Sequence, residues 1–245
     1  MTLSERTVFI TGATSGIGLA IAEACLERGA RVVLTGRRMD QVADLCARHG
    51  ECAHGMALDV NDADAVASVP TSLPETFQDV DTLILSAGHD TGGRKRFDEC
   101  DADEMASIIE TNVNGLLRVT RAFIGAMRKR DGAHVIMIGS NAGLRVAPNF
   151  STYTASKHAV HALSDSLRLD YAGEPIRITE ICPGLVKTDF ARTRLHGNTE
   201  GGEAYYEDAP QYLVPGDVAG AVIYALEAPA HVNISQIVIE PALTA

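Results

Sequence analysis

Seven short apolar runs, separated by stretches of helical periodicity, confine this 245-residue chain to one broad architecture. The runs are TVFIT (7–11), RVVLTG (31–36), MALDV (56–60), DTLILS (81–86), HVIMIGS (134–140), IRITEIC (176–182) and QIVIE (236–240). Several are continuously apolar, as strands buried on both faces require. Helical patterns fill the gaps at 17–28, 39–48, 62–69, 103–129, 151–172 and 216–227. This alternation predicts an α/β fold, a doubly wound parallel sheet of about seven strands with helices on both faces. No linker rich in Pro, Gly or Ser and no repeat interrupts it, so residues 1–245 read as a single domain. The one long irregular stretch, 187–213, contains HGNTEGGEAYYEDAP and is expected to act as a substrate lid.

Composition excludes several classes of partner. A hydrophobic content of 46% supplies a core, and 22% charged residues suit an ordinary globular chain. No apolar run approaches the ~18 residues of a membrane span. MTLSERTVFI enters a strand at once, without the basic-then-apolar pattern of an export signal. Five cysteines (25, 46, 52, 100, 182), with no C-x-x-C spacing, point to a reduced, cytoplasmic setting. A net charge of −11 argues against nucleic acid or an anionic membrane as partner, and Arg94-Lys95-Arg96 is too short to reverse that. His158 and His161 share a helix face, but no third ligand is in register, so no metal site is expected.

Between the first strand and first helix lies TGATSGIG (11–18), with glycines at 12, 16 and 18. Glycine there lets the backbone turn sharply and approach a pyrophosphate, whose charge the helix N-terminus stabilises. The spacing G-x-x-x-G-x-G differs from the usual G-x-G-x-x-G of Rossmann-type dinucleotide sites. The second strand ends in Gly36-Arg37-Arg38, where a carboxylate would be needed to hold the ribose hydroxyls of NAD. Glycine followed by two guanidiniums leaves room for a 2′-phosphate and supplies charge-assisted donors, so NADP(H) is expected. Asp59 closes the third strand run in reach of an adenine amino group, although aspartate there is also a common helix cap.

Tyr153 and Lys157, in YTASK, are four residues apart on a predicted helix and so share a face. A lysine cation beside a phenol favours the phenolate and makes it usable as an acid/base near neutral pH. Ser140 ends the fifth strand run, where strand ends face a ligand crevice, and can hold a substrate oxygen beside that phenol. Asn112, in ETNVNG, could anchor a water linking the lysine to solvent. Taken singly, Ser140 could equally be a turn former and Asn112 a kinking residue of its helix.

TGATSGIG, LSAG (85–88), TNVNG (111–115), IGS (138–140), YTASK (153–157) and PGLVKT (183–188) occur in the order and spacing of the short-chain dehydrogenase/reductases. The chain resembles the classical type of that family over essentially its whole length. The resemblance implies a catalytic tetrad of Asn112, Ser140, Tyr153 and Lys157. Tyr153 would be the acid/base, Ser140 would orient the substrate oxygen, Lys157 would also hold the nicotinamide ribose, and Asn112 would complete a proton relay. It implies cofactor contacts from Thr11, Gly12, Thr14, Ser15, Gly16, Ile17 and Gly18, from Arg37, Arg38, Asp59 and Val60, and from Ala87, Gly88 and the tetrad's Asn112, Tyr153 and Lys157. Pro183, Gly184, Val186 and Thr188 match the segment at the nicotinamide end. Ser86 departs from the family's usual N-N-A-G, which predicts slightly altered bonding at that strand end.

Within the family, LTGRR, PGLVKTDF, R-x-x-G-N (194–198) and PAHVNI (229–234) resemble the NADP-dependent 3-hydroxy acid dehydrogenases, with malonic semialdehyde and sulfoacetaldehyde reductases as close relatives. Such substrates carry an anion beside the reacting carbon, so the pocket should offer a cation, with Arg145 and Arg194 as candidates beside Ser140 and Tyr153. The alternatives are a reductase of carrier-protein-bound 3-oxoacyl groups, a neutral ketone or sugar reductase, and a non-catalytic reader of NADP(H) redox state. The resemblance also implies a homo-oligomer, a tetramer or a dimer. Apolar positions on more than one side of 103–129 suit a subunit contact.

Overall fold

Apolar residues that alternate between two buried faces build the centre of this molecule. The computed structural model describes residues 2–196, 206–207, 209 and 211–243. Its strands are β1 (Thr7–Thr11), β2 (Arg31–Gly36), β3 (Ala53–Ala57), β4 (Thr82–Leu85), β5 (Ala133–Ile138), β6 (Ile176–Pro183) and β7 (Gln236–Ile239). All seven pair in parallel in the order β3-β2-β1-β4-β5-β6-β7. In β1, Val8 and Ile10 enter the core on one side of the sheet, and Phe9 enters the core on the other. Two buried faces leave no position for polar alternation, which is why these strands read as unbroken apolar runs.

The helices are α1 (Gly16–Glu27), α2 (Ala43–His49), α3 (Ala63–Ser72), α4 (Ala102–Ile109), α5 (Leu116–Met127), α6 (Ser151–Asp170), α7 (Phe190–Arg194) and α8 (Pro215–Glu227). α1 and α8 pack together over one face, with Ile21, Val222 and Leu226 fully or almost fully buried. α3, α5 and α6 cover the other through Val69, Val119 and Val160. This is a single-domain Rossmann-type fold. Strand order reverses between β1 and β4, so the loops at their C-terminal ends part there and leave a crevice.

The third strand occupies 53–57 instead of 56–60. Leu58 and Val60, which make MALDV look strand-like, are buried only after the strand has ended. The strand itself lies at the sheet edge, half-exposed, and needs no apolar run. The helix expected at 39–48 opens as a 3-10 turn, Met39–Val42, before α2. The helix expected over 103–129 is interrupted by a π-helical segment, Glu110–Gly115, between α4 and α5. No described helix is long and apolar enough to cross a membrane. The lid region holds α7 and, at Val186, a parallel bridge to Leu213, while 197–205, 208 and 210 lie outside the described residues.

Candidate active site

A cleft of about 560 Å³ opens at the C-terminal ends of β1, β2, β4, β5 and β6. The glycine turn forms one end of it. Gly12 and Gly16 have φ of +67° and +54°, the left-handed region that disfavours side chains. A Cβ on Gly12 would stand 2.9 Å from the Ala87 backbone, and one on Gly18 would stand 2.2 Å from the Gly12 carbonyl oxygen. Only bare backbone can pack this closely, and the same bareness lets a phosphate approach the N-terminus of α1.

Gly36 shows why no carboxylate stands at the end of β2: a Cβ there would meet the Thr14 methyl at 2.6 Å. Arg37 and Arg38 line the cleft beside it, both exposed, and Arg38 donates to Ser15 Oγ at 3.1 Å. Two guanidiniums and a hydroxyl at one edge, with no acidic side chain at Gly36, suit a phosphorylated ribose. Asp59 and Val60 line the same end, and Asp59 accepts from the Asn61 amide at 3.0 Å. Thr11 lies beneath the cleft instead of in its wall. Its hydroxyl accepts from the Ser86 and Ala87 amides, both at 3.1 Å, and so ties β1 to the departing LSAG strand end.

Tyr153 and Lys157 stand one turn apart in α6, with the Lys157 ammonium 5.7 Å from the Tyr153 ring centroid. Lys157 is buried and donates to the Ile138 carbonyl at 2.9 Å. Burial pushes its pKa down to about 8, against the opposing charge of Glu180. Ser140 begins the 3-10 turn after β5 and accepts from the Ala142 amide at 3.1 Å, which fixes its hydroxyl at the cleft.

Asn112 does not line the cleft. Its Oδ1 accepts from the His89 amide at 2.8 Å, and its Nδ2 donates to the His89 carbonyl at 2.9 Å and to Ser156 Oγ at 3.1 Å. The side chain brackets the β4 end to α6 and sets the spacing of Gly88 and Lys157. Its place within the π-helical segment is typical of functional helices.

The two arginines expected at the substrate differ sharply. Arg145 stands outside the cleft, with its side chain 62% exposed and paired to Glu240. Arg194 is buried in α7, its Nε 2.5 Å from Asp90 Oδ2 and its carbonyl accepting from the Gly93 amide at 2.9 Å. Its guanidinium lies 4.8 Å from the Phe150 ring and 5.4 Å from Phe190.

Phe150 stacks on Tyr153 at 4.8 Å, and Phe190 meets the same ring edge-on at 5.6 Å. Arg94, exposed on the cleft wall, lies 4.5 Å above Phe150. Sequence reasoning missed His89, Asp90, Arg94, Phe150 and Phe190 as site residues. For His89, Asp90 and Arg94 the signal was a cluster of charge and glycine immediately after LSAG; Phe150 and Phe190 carried none. Burial, more than the Arg37 charge, pushes His89 below the usual imidazole range. Pro183, Gly184, Val186 and Thr188 close the cleft over the glycine turn, with the Thr188 methyl 3.4 Å from the position of a Gly16 Cβ. Among the described residues, no group of three or more His, Cys, Asp or Glu could hold a metal.

The short chain dehydrogenase family matches residues 6–198, well over half of the chain. The chain belongs to the short-chain dehydrogenases. Among members of this family, a sulfoacetaldehyde reductase of Chromohalobacter salexigens is 35% identical over 96% of this chain and 93% of its own length. An NADP-dependent 3-hydroxy acid dehydrogenase of Salmonella typhi is 36% identical over 96% and 94%. The closed form of a serine dehydrogenase complexed with NADP+ superposes with a TM-score of 0.91 at 34% identity, covering 95% of this chain and 93% of that one. This short-chain dehydrogenase is an NADP(H)-dependent oxidoreductase acting on CH–OH and carbonyl groups.

Proposed function

We propose that the enzyme interconverts an alcohol and a carbonyl on a short anionic substrate, a 3-hydroxy acid, its semialdehyde or a sulfonated aldehyde, with Tyr153 as the acid/base. The observation that carries the reading is a stack. The Arg94 guanidinium lies 4.5 Å over Phe150, and Phe150 stacks at 4.8 Å on Tyr153. A substrate whose oxygen meets the phenol thus has a guanidinium in the same cleft wall, one aromatic ring removed from Tyr153. Arg194, 4.8 Å from the same ring, is held by Asp90 and adds shape and dipole more than net charge.

When bound, the nicotinamide supplies or accepts a hydride; the protein handles the proton. In reduction Tyr153 donates its proton to the substrate oxygen, and in oxidation it takes one from the hydroxyl. Ser140 accepts from the Ala142 amide through its oxygen, and its proton, held only by a long 3.4 Å bond to Asn141 Oδ1, turns to the substrate oxygen. Lys157 spends one proton on Ile138 and turns the rest of its charge toward the phenol, favouring negative charge there as the proton leaves. Arg37, Arg38 and Ser15 hold the ribose phosphate, and Gly12, Gly16 and Gly18 the pyrophosphate. The segment from Val186 through α7 covers the substrate. The same reading carries a homo-oligomer in a reducing cytoplasm, with the exposed Leu117 of α5 and Leu169 of α6 as contact surface.

The test is NADPH oxidation with short semialdehydes and sulfonated aldehydes, against neutral ketones and 3-oxoacyl thioesters as controls. Tyr153→Phe should lose about 10²–10⁴-fold in turnover while still binding NADPH. Arg94→Ala should raise KM about tenfold or more for anionic substrates and little for neutral ones. Turnover confined to the controls would overturn the substrate class.

A further inference from the structure

On the side of β6 that faces α6 lies a carboxylate that the chemistry above does not use. Glu180 is fully buried in mid-strand, where strand packing asks for an apolar residue. Its Oε2 accepts from His161 Nδ1 of α6 at 2.7 Å and from Gln236 Nε2 of β7 at 2.8 Å. Its Oε1 meets no donor among the described residues and presses on Gly139, where a Cβ would come within 2.3 Å. Gly139 directly follows Ile138, whose carbonyl anchors the Lys157 ammonium. Lys157 and His161 are successive positions on one face of α6, so the active-site cation and the carboxylate's partner stand in line.

We propose that Glu180 is a positioning residue for the reaction: its carboxylate acts through Lys157 from behind β5 and keeps that lysine cationic while Tyr153 exchanges a proton. The proposal rests on the reading of Tyr153 and Lys157 as the proton-handling pair. A buried ammonium is costly without an opposite charge, and among the described residues no carboxylate makes a direct salt bridge to Lys157. Glu180 is foremost among the groups that oppose the burial of this lysine.

The other groups facing Glu180 do not displace it from that role. From α6 come His161 and Arg168, and Arg168 is already engaged by Asp165. Asp165 itself lies beyond His161, 3.8 Å from its Nε2. From β6 comes the Cys182 thiol, which burial and Glu180 together keep protonated. β7 offers only the neutral Gln236, and Gly139, directly after β5, carries no charge.

The deciding measurement is the pH profile of kcat/KM for NADPH-dependent reduction in Glu180→Gln, which keeps the side-chain shape and removes the charge. Without the nearby negative charge, both ammonium and phenol give up a proton more readily. The whole profile should therefore slide toward acid, by about one pH unit. Glu180→Asp should return it toward wild type. Gln236→Lys sets a cation against the same carboxylate without touching the buried position, and should shift the profile the same way even if Glu180→Gln fails to fold. NADPH binding and thermal midpoints report folding. A Glu180→Gln profile that superimposes on wild type, with the rate lowered evenly at every pH, overturns the proposal, as does an unshifted Gln236→Lys profile. Full turnover in Tyr153→Phe overturns the underlying reading instead, so the two failures are distinguishable.

Discussion

Two buried arginine–aspartate pairs sit at opposite ends of the sheet, alike in residue type and almost alike in burial. Arg6 and Asp81 are 3% and 6% exposed at the N-terminal ends of β1 and β4. Arg194 and Asp90 are 5% and 4% exposed at the C-terminal end, beside the cleft. Their surroundings differ. Arg6 Nη1 donates to Asp81 at 3.1 Å, to Thr82 Oγ1 at 3.0 Å and to the Gly132 carbonyl at 3.1 Å, while Asp81 accepts the Thr7 amide at 2.8 Å. That pair is woven into three adjacent strands and cannot part without opening the sheet. Arg194 and Asp90 instead join two connections, α7 and the loop after β4, and lie on aromatic rings instead of strand backbone. Burial and charge are the same in both places; what each partner is attached to decides whether the pair holds a framework or a cover.

Removing one member should expose this difference. Asp81→Asn strands the Arg6 charge inside a sheet that has no cheap way to open, and should cost about 3–5 kcal/mol in urea unfolding. Asp90→Asn leaves an equally buried guanidinium, but α7 can swing into water, so the penalty is capped by the cost of local opening. Its thermal midpoint should stay near wild type while kcat/KM falls about tenfold through loss of closure. Equal destabilisation by the two substitutions would erase the distinction.

The smallest effect is one of pH. Burial raises the Asp90 carboxyl above its ordinary range, outweighing the lowering pull of Arg194. A folded-state value above the unfolded one means that the folded protein takes up this proton first as pH falls. The stability so gained is complete below the unfolded value and lost as pH rises through the folded one. The midpoint of wild type relative to Asp90→Asn should therefore decline slightly as pH climbs through the carboxylate range. A difference that is flat with pH would mean that Arg194 fully offsets the burial.

Local spacing made much of this molecule readable in advance. The glycine turn, Gly36-Arg37-Arg38 and the four-residue step from Tyr153 to Lys157 depend on neighbours along the chain, and all of them line the cleft. Pairings between distant segments left no such mark. Arg145 and Arg194 looked equivalent as cations near the substrate, yet Glu240 draws one outward and Asp90 holds the other in the wall. Those partners lie 95 and 104 residues away, where no periodicity connects them. Glu180 drew no notice within the apolar run IRITEIC, because His161 and Gln236 meet it only in the fold. The edge strand was displaced by three residues because an edge need not be apolar, while the residues that follow it happened to be.

The π-helical segment at Glu110–Gly115 makes the long helix a length standard between two layers. It carries one residue more per turn than an α-helix would, and Asn112 rides on that surplus to reach both His89 and Ser156. Cutting out a single residue there would restore a regular helix and swing everything on one side of the cut by about 100°. The amide would then lose its hold on the β4 end or on α6, and the gap between Gly88 and Lys157 would be free to drift. Chain length in this one segment is therefore as tightly constrained as the identity of any side chain in the cleft.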